Sequence, residues 1–194
     1  IKTLGLEITL IVVPVAVGAV LLGPAGGAIL GGVFGITSFI QCFGMSPFGT
    51  VLLEINPVAT FIVCVPTRIL AGWVAGLVFS GMMKRRKRPT HQIEDQEGKT
   101  VYKVYRVFPQ SLAYYVANLA CPLCNTLFFM TTLCLCFYHT EFIQSMVAQM
   151  GSTNVFAFVI AFVGINGLVE AVVCFVLGSA VSRVLAHVLR NSAS

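Results

Sequence analysis

Arg68 is the residue of this chain whose type and position best suit it to bind an anion, because it lies inside a long apolar stretch. An arginine at membrane depth costs about 2.5–3.5 kcal/mol even on the lenient insertion scale, so it marks a functional site by default. Glu170 is the one carboxylate inside a predicted span. The two residues therefore predict either a site in which Arg68 binds an anionic ligand, or a structural ion pair between them.

Asparagines add hydrogen-bonding groups to the same apolar stretches. Asn118 and Asn125 are seven residues apart and share one helix face after two turns, and Asn166 lies shortly before Glu170. Each amide supplies both a donor and an acceptor. We predict that all three, with Arg68 and Glu170, contribute to substrate binding.

Other chemistries find little support in the sequence. The chain has neither the GxxxxGK[ST] motif of nucleotide hydrolysis nor the HExxH motif of zinc proteases. The CxxC formed by Cys121 and Cys124 lies in an apolar helix, where cysteine acts as small apolar filler rather than as a zinc ligand. We predict no catalytic residues, no metal site and no cofactor.

The composition identifies an integral membrane protein. Of 194 residues, 57% are apolar and only 10% are charged, against roughly 25% charged in soluble domains. The net charge of +5 does not indicate a nucleic-acid partner, because eight of the twelve lysines and arginines fall between Lys84 and Arg106. We predict an all-α bundle forming a single transmembrane domain over residues 1–194.

Residues 57–83 form the span that fixes the orientation. Five cations follow at residues 84–88, and clustered cations beside a span are retained on the cytoplasmic side. The polar segment 84–109 is then a cytoplasmic loop, either solvated or folded as a small hairpin that turns at Gly98.

The remaining spans are predicted at residues 9–22, 25–43, 110–138 and 154–188. The first is extended by residues 4–8 and kinked near Val13, because Pro14 donates no hydrogen bond. Its tight turn to the second makes these helices antiparallel neighbours. Residues 44–56 form an extracellular loop, either a lid or a connector, and 139–153 contain a short amphipathic helix. Ser152 or Thr153 caps the last span. Five spans place the N-terminus outside and the C-terminus inside, and we expect a sixth span ahead of residue 1.

Small residues recur at helical spacing in two of these spans. They permit close helix approach in lipid, either within the bundle or against a partner subunit. The residues are Gly23, Gly27, Gly31, Gly35, Ala71 and Ala75.

Several blocks of the sequence resemble the substrate-binding S components of energy-coupling-factor (ECF) vitamin transporters, and look most like the pantothenate-type branch. The blocks are TLIVVPV (9–15), LGPAGGAILG (22–31), FGITSF (34–39), PTRILAG (66–72), NTLFF (125–129) and NGLVEA (166–171). The likeness covers nearly the whole chain, but no counterpart of the family's first helix is present.

The resemblance implies a six-helix, multi-pass protein of the bacterial plasma membrane that binds a vitamin near its outer face. It implies as partners a transmembrane coupling subunit and two ATPase subunits. By the same resemblance, Arg68 meets the carboxylate of the ligand and Asn125 meets its amide or hydroxyls. Pantothenate is the expected ligand, and folate, nicotinate, riboflavin and cobalamin remain alternatives, as does a membrane scaffold without transport.

Overall fold

A computed structural model describes residues 2–3, 6–7, 11–86, 89–94, 100–104, 110–151 and 154–192. Three helical stretches in this part of the chain are long and apolar enough to cross a membrane, namely Gly23–Gln41, Pro57–Lys84 and Leu112–Phe137. The predicted α-helical membrane bundle is confirmed, while the total of five spans stays a prediction.

Helices make up most of the described chain. They are α1 (Val12–Leu21), α2 (Gly23–Gln41), α3 (Pro47–Ile55), α4 (Pro57–Cys64), α5 (Pro66–Arg86), α6 (Gln110–Phe137), α7 (Glu141–Gln149), α8 (Val155–Val173), a π-helical segment (Cys174–Gly178) and α9 (Ser179–Ser192). Two antiparallel strand pairs complete the described chain: β1 (Lys2–Thr3) with β2 (Leu6–Glu7), and β3 (Pro89–Glu94) with β4 (Thr100–Val104).

The first helix is shorter than predicted. Within the predicted extension, Leu6–Glu7 form strand β2 rather than helix, and the other residues of 4–8 lie outside the described residues. Pro14 lies in the first turn of α1, where its missing N–H would have no intrahelical partner in any case. Helices α1 and α2 are antiparallel neighbours, as predicted, because Gly18 lies against Leu30 and Ala19 lies against Gly27.

The segment predicted as a loop at 44–56 contains helix α3. Ser46 caps it, since its Oγ accepts a hydrogen bond from the Gly49 N–H at 3.3 Å, and Pro47 occupies the first helical position. This arrangement of Ser then Pro is a helix start signal. Phe48 and Leu52, one turn apart, are buried in the core, and the loop prediction missed this spacing.

The helix predicted over residues 57–83 is interrupted in the middle. Helix α4 ends at Cys64, Val65 is a turn, and α5 begins at Pro66. Pro66 has no N–H to donate to the preceding turn. The interruption lies immediately before Arg68, so it determines where this side chain points.

The segment after α5 forms a hairpin. Strands β3 and β4 pair from Glu94 with Thr100 to Pro89 with Val104, which supports the hairpin alternative over an irregular loop. The predicted turn residue Gly98 lies outside the described residues.

The last predicted span is a helix with two irregularities. Asn154 caps its start, because its Oδ1 accepts from the Ala157 N–H at 2.8 Å; the predicted caps Ser152 and Thr153 lie outside the described residues. Gly164 has non-helical angles (φ 7°, ψ −106°) inside α8, and the π-helical segment separates α8 from α9. Helix α7, in contrast, forms as predicted, with Ile143 and Val147 buried.

The buried side chains divide into two main clusters. One joins α3, α4, α6, α7 and α8 around Phe137, Phe158 and Leu133. The other joins α1, α2, α5 and α6 around Val12, Ala16 and Phe34. Helix α5 packs most extensively against α2 and then against α6, so the start of α5 is enclosed by the bundle.

Candidate functional site

The Arg68 side chain reaches across the break, from the start of α5 back to the end of α4. Arg68 Nη1 donates to the Cys64 carbonyl at 2.9 Å and to the Val63 carbonyl at 3.2 Å. Thr67, itself buried, adds a hydrogen bond from its Oγ1 to the Val63 carbonyl at 2.6 Å. The carbonyls at the end of α4 thereby gain donors at the point where Pro66 supplies none.

Two aromatic rings enclose the guanidinium. Its central carbon lies 4.8 Å from the ring centroid of Phe34 on α2 and 5.4 Å from that of Phe129 on α6. Cation–π attraction of this kind contributes on the order of 0.5–2 kcal/mol. Phe34 belongs to one core cluster and Phe129 packs against the other, so Arg68 lies where the two clusters meet.

Close packing of α2 on α5 holds the backbone of Arg68 in place. A Cβ at Gly31 would overlap the Arg68 carbonyl, and a Cβ at Gly27 would overlap the Gly72 carbonyl. A Cβ at Gly35 would lie 2.7 Å from the Cα of Val65. These members of the small-residue stripe thus face α5 within the chain, and Ala71 and Ala75 are also buried.

Three of the predicted site residues carry a buried polar atom without a hydrogen-bond partner. Arg68 Nε, Asn125 Oδ1 and Glu170 Oε1 are each buried and make no hydrogen bond. Asn125 lies one turn before Phe129 on α6, the helix face that reaches Arg68. Glu170 lies within range of the charge on Arg68 without forming an ion pair with it.

The other predicted site residues have different surroundings. Asn118 is fully buried. Its Nδ2 donates to the Tyr114 carbonyl at 2.8 Å and to Ser182 Oγ on α9 at 3.4 Å, while its Oδ1 is buried without a partner. It therefore joins α6 to α9, about 10 Å along α6 from Asn125 at ~1.5 Å rise per residue. Asn166 lies in α8, and its side chain lies outside the described part of the structure.

Two residues of the site were not predicted from the sequence. Phe34 and Phe129 contact the guanidinium, yet phenylalanine in an apolar helix carries no local signal of such a role. The one available hint was spacing, since Phe129 follows Asn125 by one helical turn.

A cavity of the bundle lies apart from this polar group. It is a groove of about 910 Å³ between α6 and α8, lined by residues such as Leu127, Met130, Val159 and Leu168. Arg68, Asn125 and Glu170 do not line it. Leu127 and Leu168 are more than half exposed, so the groove opens on the outside of the bundle, whereas the polar group is enclosed.

This arrangement can recognise a small polar molecule. A guanidinium donor and two acceptor oxygens, all desolvated, would each gain a hydrogen bond from a ligand of matching shape. An unsatisfied buried polar group costs about 1–3 kcal/mol, so three of them together represent a substantial driving force for such a ligand. Within the described residues, no group of three or more His, Cys, Asp or Glu side chains is placed to hold a metal ion.

Sequence comparison gives one match. Residues 1–182 match the sequence model of the family described as "ECF transporter, substrate-specific component". No curated protein matches the chain.

Proposed function

Since this chain belongs to the family of substrate-specific components of ECF transporters, we propose that it is the membrane subunit that binds a small anionic vitamin, such as pantothenate, for uptake. Membership makes it a membrane-embedded transport subunit with a substrate and an ECF module as partners. The identity of the vitamin and the residues that bind it are our proposal.

The observation that carries the proposal is the buried, incompletely satisfied Arg68. Its Nη1 binds backbone carbonyls while its Nε has no partner, so the side chain is positioned and still able to donate. A carboxylate is the ligand group that an arginine fork fits best. Asn125 Oδ1 and Glu170 Oε1 then accept from hydroxyl or amide N–H groups of the same ligand.

Pantothenate satisfies this pattern, because it carries one carboxylate together with hydroxyls and an amide. Folate and nicotinate also carry carboxylates, so they test how specific the site is. Riboflavin has no anionic group and would leave Arg68 without an ion-pair partner, and cobalamin has a phosphodiester in place of a free carboxylate.

We place the site toward the outer face and the β3–β4 hairpin and C-terminus in the cytoplasm of a bacterial cell. The cations that follow α5 support this orientation. The partners are then a transmembrane coupling subunit and two ATPase subunits.

Equilibrium binding to the purified full chain in lipid nanodiscs tests the proposal. A charge-assisted hydrogen bond contributes about 1.5–3 kcal/mol, so Arg68→Ala should weaken pantothenate binding by roughly 10- to 100-fold. Arg68→Lys keeps the charge but loses the fork, and should bind with intermediate affinity.

Unchanged affinity in Arg68→Ala would contradict the proposed role. If instead neither the wild type nor the variants bind a vitamin, and Arg68→Ala and Glu170→Ala lower the unfolding temperature equally, the two residues serve only as structural counter-ions. Mass spectrometry of small molecules that co-purify with the chain identifies the vitamin directly.

A further inference from the structure

Two buried cysteines from different helices lie in contact. Cys42 directly follows α2 and Cys64 is the last residue of α4. Their Sγ atoms are 4.0 Å apart, and the residues are 4% and 6% exposed. They are separated by 22 positions in the chain, so no short sequence motif reveals the pair.

The surroundings of the pair connect it to three other elements. Cys42 Sγ donates to the Ser38 carbonyl at 3.3 Å, and a Cβ at Gly49 of α3 would lie 2.6 Å from this sulfur. A Cβ at Gly35 of α2 would lie 2.9 Å from the Cys64 carbonyl. That same carbonyl accepts the hydrogen bond from Arg68.

We propose that Cys42 and Cys64 are a dithiol modification site that peroxide oxidises to a reversible disulfide, which links the end of α2 to the end of α4. The sulfurs must approach from 4.0 Å to about 2.05 Å, a movement within the reach of side-chain rotation. This inference is independent of the proposed function, because it depends only on the two thiols and their environment.

The oxidation balances without a further reactant. The Cys64 thiolate attacks one oxygen of hydrogen peroxide, the O–O bond breaks, and the leaving hydroxide takes a proton to become water. The sulfur of Cys42 then attacks the resulting sulfenic acid, the S–O bond breaks, and a second water leaves with the Cys42 proton. Two thiols lose two electrons in total, and one peroxide gains them.

The position of Arg68 assigns the first step to Cys64. Its guanidinium is hydrogen-bonded to the backbone carbonyl of Cys64 at 2.9 Å, so positive charge lies beside the residue that carries this sulfur. A nearby cation stabilises the thiolate, which is the attacking species. Cys42 is then the resolving partner.

The other buried pair of the bundle provides a matched control. Cys121 and Cys174 are each 1% exposed and belong to one core cluster. No hydrogen bond or sulfur contact like that of Cys42 and Cys64 joins them among the described residues. Both cysteine pairs are buried. If only Cys42 and Cys64 form a disulfide, the cause is the contact between their sulfurs and not a general reactivity of buried thiols.

The experiment treats the purified full chain in nanodiscs with hydrogen peroxide, blocks remaining thiols, and maps the peptides without reduction. We expect loss of two thiols per chain, a linked peptide pair containing Cys42 and Cys64, and recovery of both thiols with dithiothreitol. Cys42→Ser and Cys64→Ser should each abolish the link.

The link should also raise the unfolding temperature of the wild type, because a disulfide restricts the unfolded chain. Cys42→Ser should show no such rise with peroxide.

If either serine variant does not fold, the peptide map of the wild type decides alone. A disulfide joining Cys121 and Cys174 in place of Cys42 and Cys64 would overturn the proposal. Cys42 and Cys64 that stay reduced, or that gain oxygen without linking, would also overturn it.

Discussion

The crossing of α2 on α5 and the face between α6 and α8 represent opposite kinds of packing in one bundle. At the crossing, backbone lies directly on backbone, because Gly27 and Gly72 each leave no room for a Cβ against the other's carbonyl. Between α6 and α8, in contrast, a groove of about 910 Å³ remains open. Helix α8 is also irregular there, at Gly164.

The difference indicates which part of the molecule is fixed and which can rearrange. Backbone contact at the crossing leaves no room for α2 and α5 to shift against each other, so Arg68 and Phe34 keep their relative position. Glu170 and Asn125 belong to the looser side, where Gly164 and the π-helical segment at Cys174–Gly178 interrupt regular helix. Segments of π-helix often occur at functional sites. We therefore expect ligand entry to involve movement of α8 rather than of α2.

Adding one methyl group at the crossing should have the largest effect on stability. The Cβ of Gly31→Ala would overlap the Arg68 carbonyl, and backbone cannot rotate away as a side chain can. We expect a loss of about 1–3 kcal/mol, as for overpacked cores. Thermal or denaturant unfolding of the purified variant in nanodiscs measures it.

Two glycines serve as controls for this comparison. A Cβ at Gly32 would lie 3.5 Å from the Ile69 side chain, which is ordinary contact, and one at Gly81 would meet nothing within 4 Å. Gly32→Ala and Gly81→Ala should therefore change stability by less than about 0.5 kcal/mol, or increase it through better helix propensity. Equal destabilisation by all three would show that the crossing is no tighter than the rest.

The two asparagines of α6 should respond differently to the same substitution. Asn118→Leu removes an Oδ1 without a partner, as at Asn125, but also removes the Nδ2 hydrogen bonds to Tyr114 and Ser182, and should cost about 0.5–1.5 kcal/mol in stability, with ligand affinity unchanged. Asn125→Leu removes an oxygen that has no partner, so it should leave stability equal or higher while it weakens ligand binding. Unfolding and binding measured on both variants check the contrast.

A reversed result would assign the roles differently. If Asn118→Leu weakens binding and Asn125→Leu does not, the ligand lies nearer α9 than we propose. Weaker binding in both variants would instead favour the sequence-based prediction that both asparagines contact substrate.

The sequence predicted the elements that depend on long apolar runs and missed those that depend on local breaks. Helix α6 follows from its apolar run, and α7 follows from its amphipathic pattern. Helix α3 was taken for a loop because its glycine and polar residues outweighed the Ser46–Pro47 start signal. The break at Val65 was missed because Pro66 lies in a run apolar enough to pass for one helix.

The site was predictable in its residue types but not in its contacts. Arg68 and Glu170 stand out because charge is rare inside spans. The actual contacts of Arg68 come from other helices or from backbone. Phe34 and Phe129 flank its guanidinium, and the Cys64 carbonyl accepts a hydrogen bond from it. Such contacts arise from packing between distant segments, which a single sequence does not encode in any local pattern. The Cys42–Cys64 contact escaped prediction for the same reason.

The smallest effect is expected for substitutions in the groove. They test whether the ligand binds there or at the enclosed polar group. Thr131 lines the groove and is exposed, so Thr131→Val should change stability by no more than about 0.5 kcal/mol. Pantothenate affinity should stay at the wild-type value, because the groove is built mainly of apolar side chains that face outward. Thr126, another hydroxyl of the groove, gives a second variant, Thr126→Val, with the same expectation. Binding isotherms for both threonine variants and for Asn125→Leu test where the ligand binds. Weaker binding in the threonine variants but not in Asn125→Leu would show that the ligand binds in the open groove and not at the enclosed polar group.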